Sequence, residues 1–248
     1  MPARIDESDF VIVSIKANVL LANVVSDEHV EVLLLELLRA VFDDIRRFGS
    51  KDDQGLMGLA LAQAIEAARS KYGVQEKVEA LVIVETPLGL ENVFAIASAS
   101  PLLRGILLGA EDFTAAMGAQ RTAEGAEIAY ARSRLLTACK AAGVLAIDTP
   151  FPFVSDLEGL EKDAAFAVQL GFDGKSLINP RQIELLHNLY APTRKELAHA
   201  RLVVEAAEAA AREGRGVVSL NGKMVDSPVI ERALLVISRA ELSGIREE

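Results

Sequence analysis

The stretch "RGILLGAEDF", residues 104–113, joins an aliphatic run to two adjacent acids, Glu111 and Asp112, through Gly109 and Ala110. The run at 105–108 has the length and content of a buried strand, and acids in the first turn of a helix are favoured by the helix dipole. A strand that passes through a small-residue junction into a helix is one βα unit. The pattern recurs in "ALVIV" (80–84), "VLAI" (144–147) and "KSLI" (175–178), each followed by a polar or glycine-containing junction. Between these runs lie "GAEIAYARSRLLTACKAAG" and "SDLEGLEKDAAFAVQLG", which have helical spacing, the second with Ser155 at the expected N-cap. Buried strands alternating with amphipathic helices predict an α/β fold with a parallel sheet.

Glu85, the segment Gly109–Asp112, Asp148 and Asn179 close successive strands at intervals of about thirty residues, the length of one barrel unit. In a barrel that end of the strands is the active-site face. Carboxylates such as Glu85 and Asp112 brought together there need a cation or a shared proton, and magnesium suits a few carboxylates completed by water and substrate oxygens. The three histidines, at 29, 187 and 199, lie away from these junctions, which argues against zinc. The same positions suit acids that merely cap the next helix, and spacing alone does not choose. Gly89 in "ETPLGLENVFAI" marks a tight junction where amides can approach an oxyanion, or close helix packing; Gly109 and Ala110 make a similar small-residue opening. Lys175 reads either as the counter-ion of an anionic ligand or as a solvated lysine at a strand start.

The flanks differ. "TRKELAHARLVVEAAEAAAREG" (193–214) predicts a helix and "GVVSLNGKMVD" (216–226) a hairpin turned at Asn221–Gly222. "SPVIERALLVISRAEL" (227–242) predicts a closing helix capped by Ser227 with Pro228 in first position. Residues 1–77 hold a strand, "DFVIVSI" (9–15), a second in "VLLANVV" (19–25), and amphipathic helices at 30–48 and 58–73. Four barrel units do not fit in that length. The expected organisation is therefore a TIM-barrel-type repeat, incomplete on its N-terminal side: a divergent part over 1–77, the second half of the barrel with the metal site over 78–190, and a C-terminal helix-hairpin-helix cap over 191–248. An apolar helix at 30–48 beside an unclosed barrel predicts a homo-oligomer, a trimer or larger.

The chain has 248 residues, 51% of them hydrophobic, and a net charge of −10 that is spread along its length. That balance argues against nucleic acid and anionic membranes, since phosphate tracking needs clustered Lys and Arg. Cys139 is the one cysteine and is expected to pack in a helix rather than react. The start lacks a basic and apolar leader pattern and no apolar run reaches a membrane span, so a cytoplasmic location is expected.

Taken together, "IVETPLGLEN" (83–92), "LLGAEDF" (107–113), "YARSRLL" (130–136), "DLEGLEKDAAFAVQLGFDGKSLINPRQI" (156–183), "APTRKELAHAR" (191–201) and "VVSLNGKMVDSPVIERA" (217–233) resemble the HpcH/HpaI aldolase and citrate lyase beta-subunit family, in the family's order. The resemblance implies a magnesium-dependent TIM-barrel lyase acting through an enolate on a 3-hydroxyacyl-CoA thioester of the citryl, malyl or citramalyl type. Its partners are then an acyl-CoA thioester and a 2-oxo acid. By motif, Glu85 and Asp112 match the metal-binding acids, Gly109 and Ala110 lie at the substrate, and Asp226 matches an acid or base supplied to a neighbouring subunit. The family's "D-L-E-D" and "P-K-x-E" strands have no counterpart. Lys16 and Asn18 stand where its "R-x-N" strand is expected, making Lys16 a weaker carboxylate partner than arginine, and Asn179 replaces the histidine of "I-H-P". Two other readings use the same residues: a catalytically inactive relative with a binding or assembly role, and an aldolase acting on pyruvate and a free aldehyde.

Overall fold

The computed structural model of the chain describes residues 10–14, 20–22, 67, 70, 79–212, 218–220 and 222–245. Alternating apolar segments form a six-stranded sheet: β1 (Phe10–Ser14), β2 (Leu20–Ala22), β3 (Glu79–Val84), β4 (Leu103–Leu108), β5 (Leu145–Asp148) and β6 (Gly174–Lys175). Their order is β2-β1-β3-β4-β5-β6. Strands β1, β3, β4, β5 and β6 are parallel, as the βα alternation requires, while β2 runs antiparallel to β1. The "VLLANVV" strand is thus the return arm of a hairpin and not a further βα unit, because only five residues separate it from β1, too few for a parallel crossover.

Helices α1 (Pro87–Glu91), α2 (Val93–Ala97), α3 (Ala110–Met117), α4 (Ala129–Ala142) and α5 (Leu157–Leu170) connect the strands. Their apolar residues pack on the sheet in one core that includes Val82, Val84, Ile96, Ile106, Leu108 and Leu135. Local chemistry explains where these helices begin. Thr86 Oγ1 accepts the Gly89 amide at 3.0 Å and Pro87 fills the first helical position, where a missing N–H costs nothing. The Gly89 amide is therefore used within the cap. At α5 the cap is Asp156, not Ser155: its carboxylate accepts the Gly159 amide at 2.8 Å, and a charged acceptor suits the positive end of the helix. The last strand is shorter than "KSLI" predicts. It ends at Lys175, with Ser176 donating to the Asp148 carbonyl at 2.9 Å, and Ile178 is exposed just before Pro180, which has no amide to continue a ladder.

The chain divides into two compact units, Met1–Pro180 and Arg181–Glu248. The second contains α6 (Ile183–Tyr190), α7 (Arg194–Arg212), the antiparallel pair β7 (Val218–Leu220) and β8 (Lys223–Val225), and α8 (Ser227–Leu242). Thr193 and Glu196 form a reciprocal box at the head of α7: Thr193 Oγ1 accepts the Glu196 amide at 3.2 Å, and Glu196 Oε2 accepts the Thr193 amide at 2.8 Å. Gly222, at φ +76°, supplies the left-handed position of the two-residue hairpin loop. Ala200, Val203, Val225 and Ala233 centre this unit's core. Its closing helix is capped by Asp226 rather than Ser227; Oδ1 accepts the Val229 amide at 3.3 Å, which places Ser227 and Pro228 inside the helix. Among the described residues no helix is long and apolar enough to cross a membrane. The helix expected over 30–48 and the candidate residue Lys16 lie outside the described residues, as does the helix expected over 58–73 apart from residues 67 and 70, which are helical.

Candidate active site

Parallel register brings the strand ends into one line. Val84 pairs with Leu108 and Leu107 with Ile147. Continued past the strand ends, those registers put Glu85, Gly109 and Thr149 in a single row across β3, β4 and β5. The Gly109 amide holds this edge together by donating to the Val84 carbonyl at 2.9 Å.

Glu85 is 8% exposed, a carboxylate nearly enclosed at the strand end. A Cβ at Gly109 would stand 2.7 Å from Glu85 Cβ and 3.1 Å from its Oε2, so the bare Cα is what gives the acid its place. Gly109 is also the N-cap of α3, and Asp112 lies in that helix's first turn. The segment "GAEDF" therefore carries Asp112 away from the row occupied by Glu85 by only three positions. Ala110 is buried and its amide donates to Thr149 Oγ1 at 3.3 Å. The other acid of the pair has a different task. Glu111 accepts from Arg121 Nε at 2.9 Å, and Arg121 bonds Glu127 at 2.7 Å. Burial pushes the Glu127 carboxyl upward, but the Thr122 amide and hydroxyl and the Arg121 guanidinium outweigh it and hold the pKa at about 2.

Beside the row lies a buried cluster of four charges. Arg132 grips Asp148 with Nε to Oδ1 and Nη2 to Oδ2, both 2.8 Å, and Nη2 also reaches Asp163 at 2.6 Å. Lys175 Nζ donates to Asp148 Oδ2 at 2.7 Å, to the Thr149 carbonyl at 2.7 Å and to Asp163 Oδ2 at 2.5 Å. Lys175 is thus neither solvated nor the counter-ion of a ligand: its three ammonium donors are spent on internal acceptors, and two cations balance two carboxylates. Burial opposes the charge on Arg132, yet Asp148 and Asp163 raise its pKa. Sequence reading missed Arg132 and Asp163. The signal was there: Asp163 shares the buried stripe of α5 with Leu160, Ala164 and Ala167, and Arg132 shares that of α4 with Ala131, Leu135 and Ala138. A charge on an apolar stripe implies a buried partner.

A divalent cation suits Glu85 and Asp112 by donor chemistry. Among the described residues no three His, Cys, Asp or Glu side chains gather into a metal cluster, and Glu85 and Asp112 would each offer hard carboxylate oxygens. That fits a cation that keeps several waters and shares its coordination with substrate better than it fits zinc. Asp226 belongs to the second unit, where it is exposed and caps α8. Asn179 stands just before the short 3-10 turn Pro180–Gln182. Cys139 is fully buried; burial, then the charge of Asp173, pushes its thiol up to about 12, so it packs as a neutral group.

A family model described as HpcH/HpaI aldolase/citrate lyase matches residues 4–180; it takes in the N-terminal third and the motifs up to Pro180, and ends before those at 191–201 and 217–233. The citrate lyase subunit beta of Escherichia coli (strain K12) is 61% identical over 168 residues, 68% of this chain and 56% of that protein. The chain thus spans little more than half of that relative. The corresponding Haemophilus influenzae subunit is 48% identical over 216 residues, 87% of this chain and 73% of its own length. Among solved structures, CitE from Mycobacterium tuberculosis in complex with magnesium, acetoacetate and coenzyme A superposes with a TM-score of 0.59 at 34% identity, covering 77% of this chain and 66% of that one.

Proposed function

The chain belongs to the HpcH/HpaI aldolase/citrate lyase family, and on that premise we propose that it is a magnesium-dependent carbon-carbon lyase of a 3-hydroxyacyl-CoA thioester, of the citryl, malyl or citramalyl type. The observation that carries this reading is the enclosed Glu85 carboxylate, seated against the bare Cα of Gly109 at the head of the helix that bears Asp112.

Glu85 and Asp112 would hold a magnesium ion through oxygen. Bound there, the ion would supply a Lewis acid for the oxygens of the 2-oxo acid. Gly109 and Ala110 are assigned to the small-residue floor beneath that acid, and Lys16 is assigned as a cationic partner for its carboxylate. In the cleavage direction the 3-hydroxyl gives its proton to a base and the bond between C2 and C3 breaks. The electron pair passes to the thioester as an enolate, and a proton added at C2 completes the shortened thioester. Asp226 is assigned the proton at C2, delivered from a neighbouring subunit of a cytoplasmic homo-oligomer whose C-terminal helix-hairpin-helix caps an incomplete barrel.

The test is turnover of citryl-, malyl- and citramalyl-CoA with and without magnesium. Activity on one of them is expected, dependent on the metal, and Asp226→Asn should lose about two to four orders of magnitude with magnesium binding intact. No turnover of any thioester would overturn the assignment in favour of a relative that only binds or assembles.

A further inference from the structure

We infer that Thr149 is a positioning residue for Asp112, fixing the start of α3, whose N-cap Gly109 carries no side chain. The inference rests on the metal reading of Glu85 and Asp112 given above.

The first amides of a helix need an acceptor, and the usual source is the N-cap side chain. At α3 that source is closed. Any side chain at 109 would start 2.7 Å from Glu85 Cβ and 2.9 Å from Ile83 Cγ2, so the residue that makes room for Glu85 leaves the helix uncapped from its own chain. Thr149 holds the helix entry from the end of the neighbouring strand, its Oγ1 accepting the first of those amides, that of Ala110, at 3.3 Å. Both residues are 1% exposed, so water does not substitute.

Thr149 is itself held. Its carbonyl accepts from Lys175 Nζ at 2.7 Å, and that ammonium is anchored on Asp148 and Asp163. One residue thus connects the buried charges to the helix that carries Asp112, with its carbonyl on the first and its hydroxyl on the second. Asp112 lies two positions beyond Ala110, inside the turn whose entry Thr149 fixes, so loss of the hydroxyl frees that turn to shift relative to Glu85. The effect falls on the geometry between the two acids while Thr149 itself touches neither substrate nor metal.

The experiment compares Thr149→Val, which keeps shape and loses the acceptor, with Thr149→Ser, which keeps it, in the full chain. Magnesium affinity is read by titration calorimetry and thermal midpoints are taken without metal. Thr149→Val should bind magnesium about three- to tenfold more weakly, the equilibrium worth of one ordinary hydrogen bond, and Thr149→Ser should stay within about twofold of the parent. Should the valine variant fail to fold, Thr149→Cys, with a weak sulfur acceptor, gives the same comparison. Parent-like affinity in the valine or cysteine variant overturns the inference, as does equal loss in the serine variant. Asp112→Ala separates the two levels. If it leaves magnesium binding unchanged, the metal reading falls and the inference with it; if it abolishes binding while Thr149→Val does not weaken it, the positioning role alone falls.

Discussion

Replacing Lys175 by methionine removes one charge from a cluster that is neutral only as a whole. The ammonium makes three hydrogen bonds of 2.5–2.7 Å, to Asp148, Asp163 and the Thr149 carbonyl. Without it, the single cation of Arg132 faces two buried carboxylates, and the Thr149 carbonyl loses its donor. Removing one partner of a buried ion pair costs about 3–5 kcal/mol. For a chain of this size each kcal/mol moves the thermal midpoint by about 2–4 °C, so a drop of roughly 6–20 °C is expected. The size of the loss reflects the orphaned carboxylate more than the worth of the lysine, and that distinction can be measured. Lys175→Met combined with Asp163→Leu leaves a neutral Arg132–Asp148 pair that keeps its two 2.8 Å bonds. The double variant should therefore be more stable than the sum of its singles by about 0.5–3 kcal/mol. Urea unfolding of the parent, both singles and the double gives the cycle. A Lys175→Met loss under about 0.5 kcal/mol, within the range of ordinary surface substitutions, or strict additivity, would refute the charge-balance argument.

Gly109→Ala introduces no backbone strain at φ −88°, so its effect is crowding of Glu85 and Ile83; it should cost about 1–3 kcal/mol of stability and weaken magnesium binding, and parent-like calorimetry would show that Glu85 does not need the space. Glu127 has a folded pKa of about 2, below its ordinary 4.5. Its contribution to stability is therefore present above about pH 4.5 and lost as the pH falls towards 2. Glu127→Gln should melt below the parent at pH 7 and converge with it near pH 2, and a gap that persists in strong acid would contradict the assignment.

The row of strand ends was legible because each strand is a short apolar run with an abrupt stop; Glu85 stands at one, and Asp112 follows another by three residues, past Gly109. The charge cluster was not, because three of its members look ordinary one at a time. Arg132 and Asp163 sit in helices where charged residues are common, and Lys175 opens a strand; only their positions on buried stripes distinguish them, and pairing across the long intervals between 132, 148, 163 and 175 is a property of the fold. The helix starts slipped by one residue at Ser155 and Ser227 because an aspartate stands beside each serine and makes the better acceptor at a positive helix end. Lys16, in the N-terminal third where the family motifs are hardest to trace, lies outside the described residues.

The sheet order also governs the sequence of events during synthesis. Strands β3 to β6 are each paired with the strand made just before or after them, so this part of the sheet can zip in step with the ribosome. Strand β1 cannot: its register runs from Phe10 opposite Glu79 to Ser14 opposite Ile83. At about 5–20 residues per second, the apolar "FVIVS" segment waits roughly 3–14 s for that partner. Its hairpin arm arrives within a second or two, with Val13 opposite Leu20, and occupies one edge of the strand during the delay. The antiparallel β2 thus halves the exposed edge of a nascent strand, and a chaperone that recognises extended apolar segments has a defined interval in which to act before Glu79–Val84 emerges.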